Sequence, residues 1–170
     1  MISIDDGRAL RAPVPLTTAR RLVNAMFKPL LIATDGSEHG TKAGRTGLAL
    51  AKSLDARATV ATVTEPWTAV ASAEIGLFFP IDDDETVCES GVVKILGDVK
   101  EIAKEAAYTC ETQHIEDRFA EDGIIEAAKA RHCDLIVLAS HGRRGVARLL
   151  LGSQAHKVAT HSPVPMLIYH

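Results

Sequence analysis

Asp134-Leu135-Ile136-Val137-Leu138-Ala139-Ser140-His141-Gly142-Arg143-Arg144-Gly145-Val146-Ala147-Arg148-Leu149-Leu150-Leu151-Gly152-Ser153 is the stretch on which the reading of this chain turns. Its opening apolar run predicts a buried strand over 135–140. Gly142 to Gly152 then read as a basic, glycine-bearing loop, and Ser153 as the N-cap of a helix over 153–160. A strand, a Gly-rich basic loop and a helix N-terminus together make an anion-binding device. Loop N–H groups and the positive helix end can face a phosphate, while arginines add charge.

Working outward, the same strand-then-helix alternation fills the chain from Phe27 onward. Leu30 to Thr34 is a continuous apolar strand, and Ser37 can cap a helix to about Leu54 with Ala43, Gly47, Leu50, Ala51 and Leu54 on one face. A second strand is expected over 58–64. A long connection over 65–84 follows, containing Trp67, Phe78 and Phe79. Asp82, Asp83 and Asp84 favour the start of a helix, because carboxylates suit its positive end. That helix is expected to reach about Thr109, burying Val92, Ile95, Val99, Ile102 and Ala106. Residues 111–118 read as a polar edge strand, 120–131 as a helix with Ile124, Ala127 and Ala128 inward, and 164–169 as the last strand. Alternating elements with near-continuous apolar strands predict an α/β fold: a five-stranded, parallel, doubly wound (Rossmann-like) sheet with helices on both faces.

Composition excludes several classes. The 170 residues, 46% hydrophobic and 24% charged, suit a globular domain with a sizeable core. A net charge of −3 argues against a nucleic-acid partner. No apolar run approaches the ~20 residues of a membrane span, so no membrane insertion is expected. Asp5, Asp6, Arg8 and Arg11 interrupt the N-terminus, which therefore predicts no secretory signal. Cys88, Cys110 and Cys133 are scattered, as expected of a cytoplasmic protein. Residues 1–26 carry Pro13 and Pro15 and read as an N-terminal extension: a mobile arm, an over-called start, or an arm packing on a partner subunit. The domain proper is expected over 27–170.

The blocks Leu30-Leu31-Ile32-Ala33-Thr34-Asp35-Gly36-Ser37, Ala139 to Ser153 and Ser162-Pro163-Val164-Pro165-Met166-Leu167-Ile168-Tyr169 together resemble the universal stress protein family. Its nucleotide-binding members show Gly-x2-Gly-x9-Gly-Ser/Thr. Gly142, Gly152 and Ser153 match that spacing, and Ala139 stands where the first glycine would be. The resemblance implies a strand order 3-2-1-4-5, in which Asp35 and Ala139–Gly142 meet at the switch point, the crevice where such sheets bind ligands. It implies a homodimer through strand 164–169, and binding of ATP with Mg²⁺ by a regulatory or stress-response module that acts on a protein partner. The alternative is a nucleotide-independent interaction module, toward which Ala139 is a step.

The residues carried into the site are Ala33, Thr34, Asp35, Val63, Ala139, Ser140, His141, Gly142, Arg143, Arg144, Gly145, Gly152, Ser153, Gln154 and Ala155. Gly142 and Gly152 let backbone approach a ligand. Arg143 and Arg144 can clamp phosphates or simply face solvent. His141 can face the ligand or serve as a hydrogen-bonded loop residue. Val63 matches a position whose backbone reads adenine in the family. Asp35 is either a carboxylate near ribose and Mg²⁺ or a partner of Ser37 at the helix start. Neither His156 and His161 nor His132 and Cys133 have zinc-site spacing. No Gly-x4-Gly-Lys-Ser/Thr loop, Gly-x-Ser-x-Gly elbow or acid–base pair is present, so no catalytic residue is assigned and any ATP hydrolysis is expected to be slow.

Overall fold

The computed structural model describes residues 27–66, 85–116, 118–142 and 151–170, with the side chains of 85–88 excepted. The expectations placed on Trp67, Phe78, Phe79, Asp82–Asp84, Arg143, Arg144, Gly145 and residues 1–26 lie outside these.

The described chain runs β1 (Pro29–Ala33), α1 (Glu38–Leu54), β2 (Arg57–Val63), α2 (Glu85–Glu105), β3 (Glu111–Ile115), α3 (Ala120–Ala130), β4 (Leu135–Ala139), α4 (Ser153–His161) and β5 (Met166–Tyr169). The strands form one sheet in the order β3-β2-β1-β4-β5, and every neighbouring pair is parallel. The doubly wound topology is therefore as expected.

Burial follows the layers. Leu30, Ile32, Val60 and Val137 point to the side covered by α1 and α2, where they meet Leu48, Ala51, Val99 and Ile102. Leu31, Ala61, Ile136 and Leu138 point to the other side, against Ile124, Ala128, Ala155 and Val158 of α3 and α4. Alternate residues of one strand thus serve opposite cores, which is why the central strands are apolar throughout. On α1 the buried leucines are Leu48 and Leu54, whereas Leu50 is only half-buried. On α2, Ala103 is buried in place of Ala106, and Ile95 is half-buried.

Several elements are shorter than the sequence suggests. α2 stops at Glu105 because Ala107 takes a left-handed φ of 47°. The N–H of Ala107 then reaches the Lys104 carbonyl (2.9 Å) and that of Tyr108 the Ala103 carbonyl (2.9 Å), a Schellman ending. Asp55 and His132 end α1 and α3 in the same way, with φ of 52° and 51°. β5 starts at Met166 because Pro165 brings no N–H, while the Ser162 hydroxyl holds both the N–H and the carbonyl of Val164. β3 ends at Ile115, opposite the last residue of β2.

Candidate functional site

β1 and β4 are adjacent, but their onward connections leave in opposite directions across the sheet. In sheets of this topology the carboxyl ends of such a strand pair are where ligands bind. On the β1 side, three short hydrogen bonds fix the turn. The Thr34 hydroxyl accepts from Gly36 N–H (3.2 Å), Asp35 Oδ1 from Ser37 N–H (3.0 Å), and Ser37 Oγ from Gly40 N–H (3.0 Å). Gly36 has a φ of 74°, a left-handed turn that side chains resist. Ser37 is the N-cap of α1, as read from the sequence.

On the β4 side, Ser140 N–H donates to the Tyr169 carbonyl (2.7 Å), and the Ser140 carbonyl accepts from Gly152 N–H (2.8 Å). The nine-residue insertion between Gly142 and Gly152 is thus closed at its base. A Cβ on Gly152 would fall 2.7 Å from the Ser140 carbonyl oxygen, so this closure requires glycine.

The two turns meet through Asp35. A Cβ on Gly142 would lie 2.6 Å from Asp35 Oδ2, and one on Gly40 would lie 2.5 Å from Asp35 Oδ1. The carboxylate is wedged between the first turn of α1 and the loop after β4. Its bond to Ser37 N–H agrees with the helix-start role. The same placement puts the one carboxylate of the turn at the mouth of the crevice. Among the described residues, no group of three or more His, Cys, Asp or Glu is disposed to hold a metal ion. A Mg²⁺ ion here would take Asp35 and complete its shell with phosphate oxygens and water, a donor set of the usual kind.

The first turn of α4 corrects one expectation. Ser153 is not the N-cap: Gly152 is, with φ −64° and ψ 154°, and it offers no side chain to cap the helix. The backbone needs glycine at this position for the closure on Ser140, which pushes the serine one residue inward. The hydroxyl of Ser153 is exposed and not committed to capping, and the N–H groups of Ser153, Gln154 and Ala155 stand at a helix start without a side-chain cap.

The structure gathers Ala33, Thr34, Asp35, Ala139, Ser140, His141, Gly142, Gly152, Ser153, Gln154 and Ala155 at this end of the sheet. Ala139 is extended strand paired with Tyr169, not a residue of positive φ, so its methyl group strains no backbone. Val63 ends β2, two strands from β4, and its side chain packs on the α3 side of the sheet. Three participants were not read from the sequence. Gly40 touches Asp35, and Glu65 Oε1 accepts from Gln154 Nε2 (3.1 Å), tying the segment after β2 to α4. His170 Nδ1 lies 2.9 Å from Ser140 Oγ. Gln154 Oε1 is buried and has no partner among the described residues.

A doubly wound parallel sheet with a glycine-flanked loop and an uncapped helix start at its switch point defines the class: a Rossmann-like domain. The sequence model of the universal stress protein family matches residues 26–170. Universal stress protein YxiE of Bacillus subtilis is 32% identical over 147 residues, covering 84% of this chain and 99% of the relative. Universal stress protein MJ0531 of Methanocaldococcus jannaschii is 31% identical over 143 residues, covering 84% and 82%. A solved universal stress protein in complex with cAMP superposes with a TM-score of 0.61 at 25% identity, over 85% of this chain and 98% of the other. The chain belongs to the universal stress protein family. Among the described residues, no helix is long and apolar enough to cross a membrane.

Proposed function

We propose that this protein binds ATP, with Mg²⁺, in the crevice between β1 and β4, and acts as a regulatory stress-response module with little or no fast turnover. The observation that carries this reading is the paired close approach at the loop's two ends. Gly142 lies on the Asp35 carboxylate and Gly152 on the Ser140 carbonyl, so both glycines are needed where a phosphate loop would be closed. The α4 N–H groups and the positive helix end supply the anion subsite. Asp35 would hold Mg²⁺, which would supply positive charge against the phosphates. The cAMP complex of the relative supports a nucleotide as ligand. A micromolar dissociation constant requires about −8 kcal/mol, within reach of several N–H contacts and one or two arginines.

The exposed Leu167 and Ile168 of β5, whose strand pairs with β4 on one side only, support a homodimer through this edge. A monomeric sedimentation profile at micromolar concentration refutes it. The free Cys110 and buried Cys133 thiols agree with a cytoplasmic location, where a regulatory partner protein would read nucleotide occupancy.

The test is isothermal titration of nucleotide-stripped protein with ATP and Mg²⁺, repeated with Gly142→Val. Saturable binding that the variant loses supports the reading. Absence of heat, with no nucleotide retained through purification, refutes it.

A further inference from the structure

Ser140 is 1% exposed and bonds through every polar atom it has. Its N–H donates to the Tyr169 carbonyl of β5 (2.7 Å), and its carbonyl accepts from Gly152 N–H (2.8 Å). Its Oγ lies 3.0 Å from His141 Nδ1 and 2.9 Å from His170 Nδ1. A hydroxyl carries one proton and two lone pairs, so at most one of the two rings accepts from it. At least one Nδ1 therefore carries its proton and donates to Ser140 Oγ. The His141 and His170 rings stand 5.8 Å apart, and His39 of α1 stands 6.5 Å from His141. The residue after β5 and the residue after Ser140 therefore converge on one buried serine, with His39 of α1 beside the His141 ring.

We infer that Ser140 is the positioning residue of the nucleotide crevice. Its main chain fixes Gly152 and its side chain fixes His141, so this one residue sets both flanks of the loop between Gly142 and Gly152. Packing alone does not call for a hydroxyl here. The preceding Val137 and Leu138 are apolar, and a buried hydroxyl is tolerated only when its hydrogen bonds are made. The main-chain bonds survive any side-chain change. What Ser140→Ala removes is the link from the His141 ring through Oγ to His170, next to the segment that lies against Asp35. The inference rests on the nucleotide reading of this same crevice.

The test uses the full chain, wild type beside Ser140→Ala and His170→Ala. In the nucleotide-free protein, long-range ¹⁵N–¹H spectra are expected to show the His141 and His170 Nδ1 signals shifting in Ser140→Ala. Amide exchange at His141 and Gly142 is expected to quicken about tenfold in both variants, the size of one lost hydrogen bond. ATP·Mg²⁺ affinity is expected to fall by a similar factor, with urea midpoints measured alongside to separate this from loss of fold. Nδ1 signals unmoved by Ser140→Ala, unchanged exchange, or wild-type affinity in a folded Ser140→Ala overturns the inference. A wild type that binds no ATP overturns the nucleotide reading instead, and the exchange and spectra then decide whether Ser140 holds the loop.

Discussion

Gly44 and Gly47 both lie on the buried side of α1, and the same substitution at each is expected to act with opposite sign. A Cβ on Gly44 meets nothing within 4 Å. It opens into a cavity of about 10 Å³ bounded by Thr41, Leu48, Val60, Ile95 and Asp98, room for roughly one water. Gly44→Ala therefore gains about 1 kcal/mol of helix propensity and roughly 0.5 kcal/mol from a partly buried methyl, a stabilisation near 1.5 kcal/mol. A Cβ on Gly47 instead meets Ile32 Cδ1 and Cγ1 at 2.9 Å each. Ile32 is fully buried in β1, with both cores already filled around the strand. Overpacking of this kind costs about 1–3 kcal/mol, against the same propensity gain of about 1 kcal/mol, for a net loss near 1 kcal/mol. Urea unfolding followed by far-UV circular dichroism measures both variants, and their midpoints should bracket the wild type. If Gly47→Ala proves as stabilising as Gly44→Ala, α1 does not press on Ile32 as described and the packing argument is wrong.

Ser37→Ala should cost about 1 kcal/mol, because it removes the cap on Gly40 N–H, whereas Ser153→Ala should stay within about 0.5 kcal/mol; thermal or urea unfolding of the pair checks this. Ala107→Gly should stabilise by about 1 kcal/mol, since the left-handed φ of 47° disfavours any Cβ, and differential scanning calorimetry reads the shift. Burial pushes the Glu121 carboxyl up, but the bond from Lys157 (2.7 Å) and its own backbone N–H outweigh this and hold it below its ordinary value. A depressed carboxylate stabilises the fold above its unfolded pKa, and that contribution is lost as pH falls through the lower folded value. Acid titration of unfolding should accordingly show a shallower decline for Glu121→Gln than for the wild type.

The layers were legible because the apolar strands carry little else: Leu30 to Ala33 and Leu135 to Leu138 can only be central strands of a parallel sheet. The spacing of Gly142, Gly152 and Ser153 also pointed to the carboxyl end of β4, where the structure places these residues. What composition and periodicity could not give was contact between distant turns. That Asp35 would lie on both Gly40 and Gly142 depends on a fold-wide register, and no local signal in the sequence encodes it. The capping of α4 was misplaced by one residue for a related reason. Ser153 is the better N-cap by residue type, yet the closure of Gly152 on the Ser140 carbonyl takes precedence. Three helices end on left-handed Asp55, Ala107 and His132 without a glycine, so the usual stop signal was missing and α2 was read too long.

The pairing of Leu30 with Leu135 has a consequence for how the molecule comes into being. A parallel sheet has no hairpins, and its central ladder here closes a loop of about a hundred residues, so the ordering entropy is spent before the strands reward it. During synthesis β1, β2 and β3 can emerge with their helices, yet one wall of the crevice is still missing until β4 leaves the ribosome. The nascent chain thus spends most of its synthesis with the apolar edge of β1 unpaired. The candidate site is assembled only when β4 docks, Gly142 settles against Asp35 and Gly152 closes on the Ser140 carbonyl.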